Sequence, residues 1–137
     1  MKKINTFTVN TLKQAEQIIL EAKKYKIKPT IHLKHYLLRG FGYNYVLTFK
    51  KILVSKFGKS SFKLFVDCGF DRSLGIKMAI EKIDYIKLRG NSIILKKFKF
   101  IANKNRVSLN PSFNIVDCRN LKNIKLKMQK LYLRKNK

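Results

Sequence analysis

The chain has 137 residues, of which 32 are Lys or Arg and only seven are Asp or Glu, for a formal net charge of +25. That length holds one domain with a real core and excludes two ordinary ones, while a hydrophobic content of 45% excludes a wholly disordered chain. Self-repulsion on this scale destabilises a compact state unless an anion is bound, so nucleic acid is the first expected partner and an anionic membrane surface the second.

In chain order, INTFTV (4–9) reads as a strand. Leu12, Ala15, Ile18, Ile19 and Ala22 then recur at helical spacing behind Asn10 or Thr11 as cap. TIHL (30–33) follows Pro29 as a short strand. A second helical stripe, Tyr45, Val46, Phe49, Ile52, Leu53 and Phe57, stops at Gly58. FKLFVDC (62–68) is a nearly continuous apolar run, the pattern of a strand buried on both faces. Ser73 is placed to cap a helix through Ile76, Ala79, Ile80 and Ile83. Tyr85–Leu88 forms the next strand, and Asn91 caps a helix carrying Ile94, Phe98 and Ile101. Val107–Leu109 and Asn114–Asp117 are short strands, the second weaker. Asn120 is placed to cap a last helix with Leu121, Ile124, Met128 and Leu131 on one face, which should dock on the sheet.

Strand–helix alternation predicts one α/β domain over residues 1–137, with a parallel sheet of about five strands, six also being allowed, covered by helices. A flavodoxin-like three-layer sandwich and a half-barrel both satisfy the pattern. Strand order does not follow from it.

RGFGY (39–43) opens like the RNA-stacking strand motif of RRM domains, but the following Asn44, Tyr45 and Val46 break the signature. Helical periodicity also begins at Tyr45, so Gly40 and Gly42 are read as parts of a loop. In open parallel sheets ligands bind outside the carboxyl ends of the strands. Four of the six arginines fall there: Arg39, Arg72, Arg89 and Arg119. A guanidinium fork suits phosphate, although Asp67, Asp71 and Asp117 are close enough in sequence to pair with these side chains instead. A second basic surface is expected on the C-terminal helix and tail, from Lys122, Lys125, Lys127, Lys130, Arg134, Lys135 and Lys137.

Other chemistry finds little support. His32, His35, Cys68 and Cys118 lack the paired spacing of a zinc site, so no metal is expected. The two cysteines are read as reduced packing residues, and a Cys–His nucleophile pair using His35 has nothing specific behind it. No Gly-rich phosphate loop is present. Asp67 and Asp71 lack the carboxylate cluster that would hold Mg²⁺, and no cofactor is expected.

VDCGFDRSLGIKMAIEKIDYIKLRGN and IANKNRVSLNPSFNIVDC together resemble a group of uncharacterised small α/β proteins of alphaproteobacterial type. Asp67, Cys68, Gly69, Asp71, Gly75, Ala79, Pro111 and Asp117 carry the likeness; Phe70 is inserted and Ile83 stands where a small residue is expected. The resemblance implies an α/β fold and a bacterial or mitochondrial lineage, and no activity.

The resulting expectation is a non-catalytic protein of a ribonucleoprotein, foremost a small basic ribosomal protein that binds rRNA among neighbouring proteins. The alternatives are an accessory subunit of a respiratory or other membrane-associated complex, and a small enzyme acting on a phosphorylated metabolite. Codon drift toward A+T raises Lys as well, but explains poorly why Glu stays rare. With no apolar run of membrane-span length and no leader-like segment in MKKINTFTVN, no transmembrane segment is expected. The expected location is a bacterial cytoplasm or the matrix of the mitochondrion that encodes the chain.

Overall fold

The structure, a computed structural model, describes residues 5–133. The strands are β1 (Thr6–Thr8), β2 (Thr30–Leu33), β3 (Lys63–Asp67), β4 (Tyr85–Lys87), β5 (Ser108–Leu109) and β6 (Ile115–Asp117). They form one all-parallel sheet of six strands in the order β5-β4-β3-β2-β1-β6. The helices are α1 (Leu12–Lys24), α2 (His35–Phe41), α3 (Tyr43–Phe57), α4 (Arg72–Ile80), α5 (Ser92–Lys104) and α6 (Ile124–Tyr132).

From β1 to β5 each strand lies beside its predecessor and always on the same side. Right-handed crossovers then bring every connecting helix to one face. The helices form a continuous row there: α6 packs on α1, α1 on α3, and α4 on α5, while Tyr43 and Lys50 of α3 reach Glu81 at the end of α4. The half-barrel alternative therefore fits, and the sandwich, which needs helices on both faces, does not. The row of helices buries Phe7, Ile31, Leu33, Leu64, Val66 and Ile86 against Ile18, Leu53, Met78 and Phe98.

The remaining face is closed by the chain itself. Strands β5 and β6 lie at opposite edges, five steps apart, which is about 24 Å in a flat sheet. Only residues 110–114 join them, and the six steps from Leu109 to Ile115 span at most about 21 Å. This segment must also return from the carboxyl end of β5 to the amino end of β6. The sheet is therefore curled, and the segment crosses its concave side. Phe113 packs edge-on against Phe65 and Tyr85, with ring centroids 5.8 and 4.9 Å away. Asn110 starts the crossing at a left-handed φ of 50°, its side chain accepting from Leu88 N at 2.8 Å and donating to Leu88 O at 3.0 Å. Asn110→Ala removes both bonds and leaves a strained alanine, so it should cost about 2 kcal/mol. Urea unfolding of the variant checks this.

Several local expectations change. Ser73 does not cap α4; Asp71 does, accepting from Leu74 N, because the helix starts two residues earlier. Asn123 rather than Asn120 caps α6, so Lys122 precedes the helix. Helix α6 docks, burying Ile124, Met128 and Tyr132, but it packs on α1 with Tyr132 against Tyr25 at 5.4 Å. RGFGY is helical apart from one residue: Gly40 sits inside α2, and Gly42, at φ 85°, breaks the chain between α2 and α3.

Three helices finish alike. Lys26, Lys82 and Arg106 take left-handed backbone at φ 56, 59 and 60°. The following Ile27, Ile83 and Val107 donate back to Ala22, Met78 and Ala102, five residues earlier, in a Schellman closure.

Candidate binding surfaces at the two ends of the sheet

Side chains of a strand alternate, so Thr6, Thr8, Thr30, His32, Lys63, Phe65, Asp67, Tyr85 and Lys87 share the concave face by register. A closed barrel fills this space with branched aliphatic residues. Here Thr6, Thr8, Thr30 and His32 are buried polar residues. Thr8 Oγ1 and His32 Nδ1 lie 2.8 Å apart, and Phe65 covers the imidazole at 4.6 Å between centroids. His32 is only 5% exposed, and its Nε2 has no hydrogen-bond partner among the described residues. Burial lowers its pKa from 6.5 to about 4; Asp67 opposes the shift, while Lys34, Lys87 and Arg119 assist it. His32 is neutral at physiological pH.

Two cavities open on this side. One, about 310 Å³, lies at the carboxyl ends among Thr8, His32, Lys34, Asp67, Lys87, Arg89, Ile115 and Asp117. The other, about 320 Å³, lies beside the crossing segment and shares His32, Lys87 and Ile115.

The predicted arginine rim is only partly assembled. Arg89 lines the first cavity. Arg119 is tied to Asp117 by Nε and Nη2 bonds of 2.9 and 2.6 Å, which lowers the Asp117 pKa to about 2. Arg39 is on the exposed end of α2 and Arg72 opens α4; neither lines these cavities. Of the carboxylates considered as partners, Asp71 caps a helix and Asp67 accepts from Gly69 N at 2.9 Å. Lys125 and Lys130 are exposed on α6 and Lys127 is half-buried there. Arg134, Lys135 and Lys137 lie outside the described residues.

Cys68 and Cys118 are free and buried, and burial pushes their thiols up to about 12 and 11, with nearby carboxylates adding to the rise. Neither supplies a thiolate at neutral pH. The His35 ring packs against Gly69. No group of three metal-ligating side chains occurs among the described residues, and no helix among them is long and apolar enough to cross a membrane.

The amino ends of the strands hold a surface that sequence order conceals. A groove of about 450 Å³ is lined by Lys28, Lys50, Lys59 and Lys82 together with Val54, Ser60, Phe62 and Asp84. An adjoining groove of about 420 Å³ shares Lys28 and Ser60 and adds Lys23, Lys26, Lys56 and Ser61 around Ile19, Ile27 and Phe57. The one acid, Asp84, is already occupied by Leu64 N at 2.9 Å. These lysines come from α1 and the loop that follows it, from α3 and the turn at Lys59–Ser61, and from the residues just after α4, three separate stretches of chain. Alternating positions within the strands carry a signal for the polar concave face; no comparable sequence signal gathers the lysine grooves.

Among solved structures, one described as a "putative fructose-1,6-biphosphate aldolase from Coccidioides immitis" is similar in fold, with a TM-score of 0.63 and 15% identity over 79% of this chain. The chain spans only 40% of that structure's length. At such identity the likeness shows the fold alone. No protein-family model matches the sequence, and no curated protein matches it.

Proposed function

We propose that the protein is a non-catalytic component of a ribonucleoprotein, with the ribosome as the first particle to test, and that it holds the RNA backbone in the lysine grooves at the amino ends of the strands. The observation that carries this reading is the convergence of Lys23, Lys26, Lys28, Lys50, Lys56, Lys59 and Lys82 on two joined grooves. The acids do little to offset them. Three ion pairs occur among the described residues, Glu21–Lys24, Glu16–Lys56 and Asp117–Arg119. Asp67, Asp71, Asp84 and Glu81 accept from Gly69 N, Leu74 N, Leu64 N and Tyr43 Oη instead. Lysines acting as point charges along a groove suit a phosphate backbone without reading its sequence.

Binding of single-stranded RNA should weaken with salt, log K falling by roughly 0.7 per phosphate contact for each decade of salt. Lys28→Gln with Lys59→Gln should leave thermal stability unchanged, reduce affinity about tenfold and flatten the slope by roughly two contacts. Fluorescence anisotropy at graded salt measures both. A wild-type constant flat with salt, or a double variant with wild-type affinity and slope, contradicts the reading.

A further inference from the structure

At the opposite end of the sheet, Lys34, Lys87 and Arg89 surround the 310 Å³ cavity and join none of the three ion pairs among the described residues. Of the two carboxylates there, Asp117 is taken up by Arg119. Asp67 engages Gly69 N through Oδ1, and among the described residues no donor reaches its Oδ2. The floor includes His32, buried and with Nε2 unpartnered. A buried imidazole nitrogen with no partner is costly to desolvate, so its retention asks for a group that completes it.

We infer that this cavity binds a small hydroxylated phosphate monoester, independently of any RNA held in the lysine grooves. Three cations are more than the single available carboxylate balances, which selects a multiply charged anion. Arg89 offers a planar fork to phosphate oxygens, with Lys34 and Lys87 as flanking point charges. Asp67 Oδ2 accepts but cannot donate, and so calls for a hydroxyl beside the phosphate rather than a second anionic group. His32, neutral and hydrogen-bonded on one side only, offers its other nitrogen to a second hydroxyl. The cavity is at the small end of the range for ligand sites, and the polar residues converge at the carboxyl ends of parallel strands. A monoester on a short polyol fits this set. An extended polyanion does not, because the crossing segment with Phe113 occupies the adjoining concave face.

Calorimetry with glycerol 1-phosphate, inorganic phosphate and glycerol as probes tests the assignment, together with the ring-nitrogen shifts of His32. Glycerol 1-phosphate should bind at one site and move the His32 signals, inorganic phosphate should bind at least fivefold more weakly, and glycerol alone should not bind. Arg89→Ala and Lys87→Gln should each weaken glycerol 1-phosphate at least tenfold while keeping the wild-type melting temperature. The Lys28→Gln/Lys59→Gln variant should bind it as the wild type does. Should Lys87→Gln destabilise the fold, Arg89→Ala, on an exposed side chain, still gives the decision. The inference is overturned by absent or non-saturable binding, by His32 signals that stay put, or by a loss that follows the groove variant instead of Arg89.

Discussion

Between pH 6.5 and pH 4 the protein should lose about 3 kcal/mol of stability through His32 alone. The folded-state pKa of this group is lowered from 6.5 to about 4, so between those values the unfolded chain binds a proton that the folded chain refuses. Stability contributed by the neutral imidazole is fully present above pH 6.5, falls as the pH drops through the window, and levels off below about 4. At about 1.4 kcal/mol for each pH unit the window spans, the loss amounts to roughly 3 kcal/mol. The groups facing the ring account for the sign: burial beside Thr8 and Phe65 dominates, Lys34, Lys87 and Arg119 repel a second positive charge, and Asp67 only partly opposes them. Asp117, held near 2 by Arg119, loses its contribution at lower pH and does not overlap this window. Denaturant unfolding at a series of pH values should show the slope in the wild type and its disappearance in His32→Asn. Parallel profiles for the two proteins would refute the assignment.

Gly69→Ala should be the most damaging single methyl on this side of the sheet, at about 2–4 kcal/mol. Its φ of 59° is left-handed, which costs an L-residue roughly 1–2 kcal/mol. An added Cβ would also lie 2.6 Å from the His35 ring, an overlap that forces the ring or the loop to move. The position cannot simply relax, since Gly69 N donates to Asp67 and Gly69 O accepts from Arg89 N at 2.7 Å. Those bonds fix the exits of β3 and β4, so the same substitution should displace Asp67 and Arg89 together. Comparing the melting temperature of Gly69→Ala with that of Gly40→Ala isolates the effect, because Gly40 is helical with open space around it and should tolerate the change.

How much of the molecule is legible in the sequence varies with the range of the physics involved. Apolar spacing locates α1 and α3, and Asn91 caps α5 as its position predicts, because caps and stripes are local. Helix α2 escapes because seven residues are too short for periodicity to register, and the glycines in RGFGY suggest a loop where only Gly42 breaks the helix. The Asp71 cap is hidden because the Ser73 hydroxyl, two residues on, is as ordinary a cap as the Asp71 carboxylate that accepts from Leu74 N. Strand order and the crossing of residues 110–114 are global properties that no local pattern encodes. The candidate surfaces divide in the same way. Arg89 stands at a strand end, where the alternation of elements points, but the lysine grooves gather side chains from distant stretches. Ligand spacing is a poor guide to His32, whereas Thr6, Thr8, Thr30 and His32, spaced two apart within buried strands, already mark a polar face.

The pairing of β6 with β1 also sets an order of assembly. Thr6 lies opposite Ile115 and Thr8 opposite Asp117, so this edge closes nearly the whole chain into one loop, whereas β1 to β5 pair between sequence neighbours. Closure entropy delays contacts of such separation until nearer ones have shortened the path. The crossing segment tightens that rule, since it can reach β1 only after the sheet has bent. By that argument the β6–α6 unit, with Asp117 and Arg119, is expected to dock after β1 to β5 have paired. A molecule lacking only that unit would keep β1 to β5 and the lysine grooves while the concave face lies bare, so the surfaces at the two ends of the sheet need not form together.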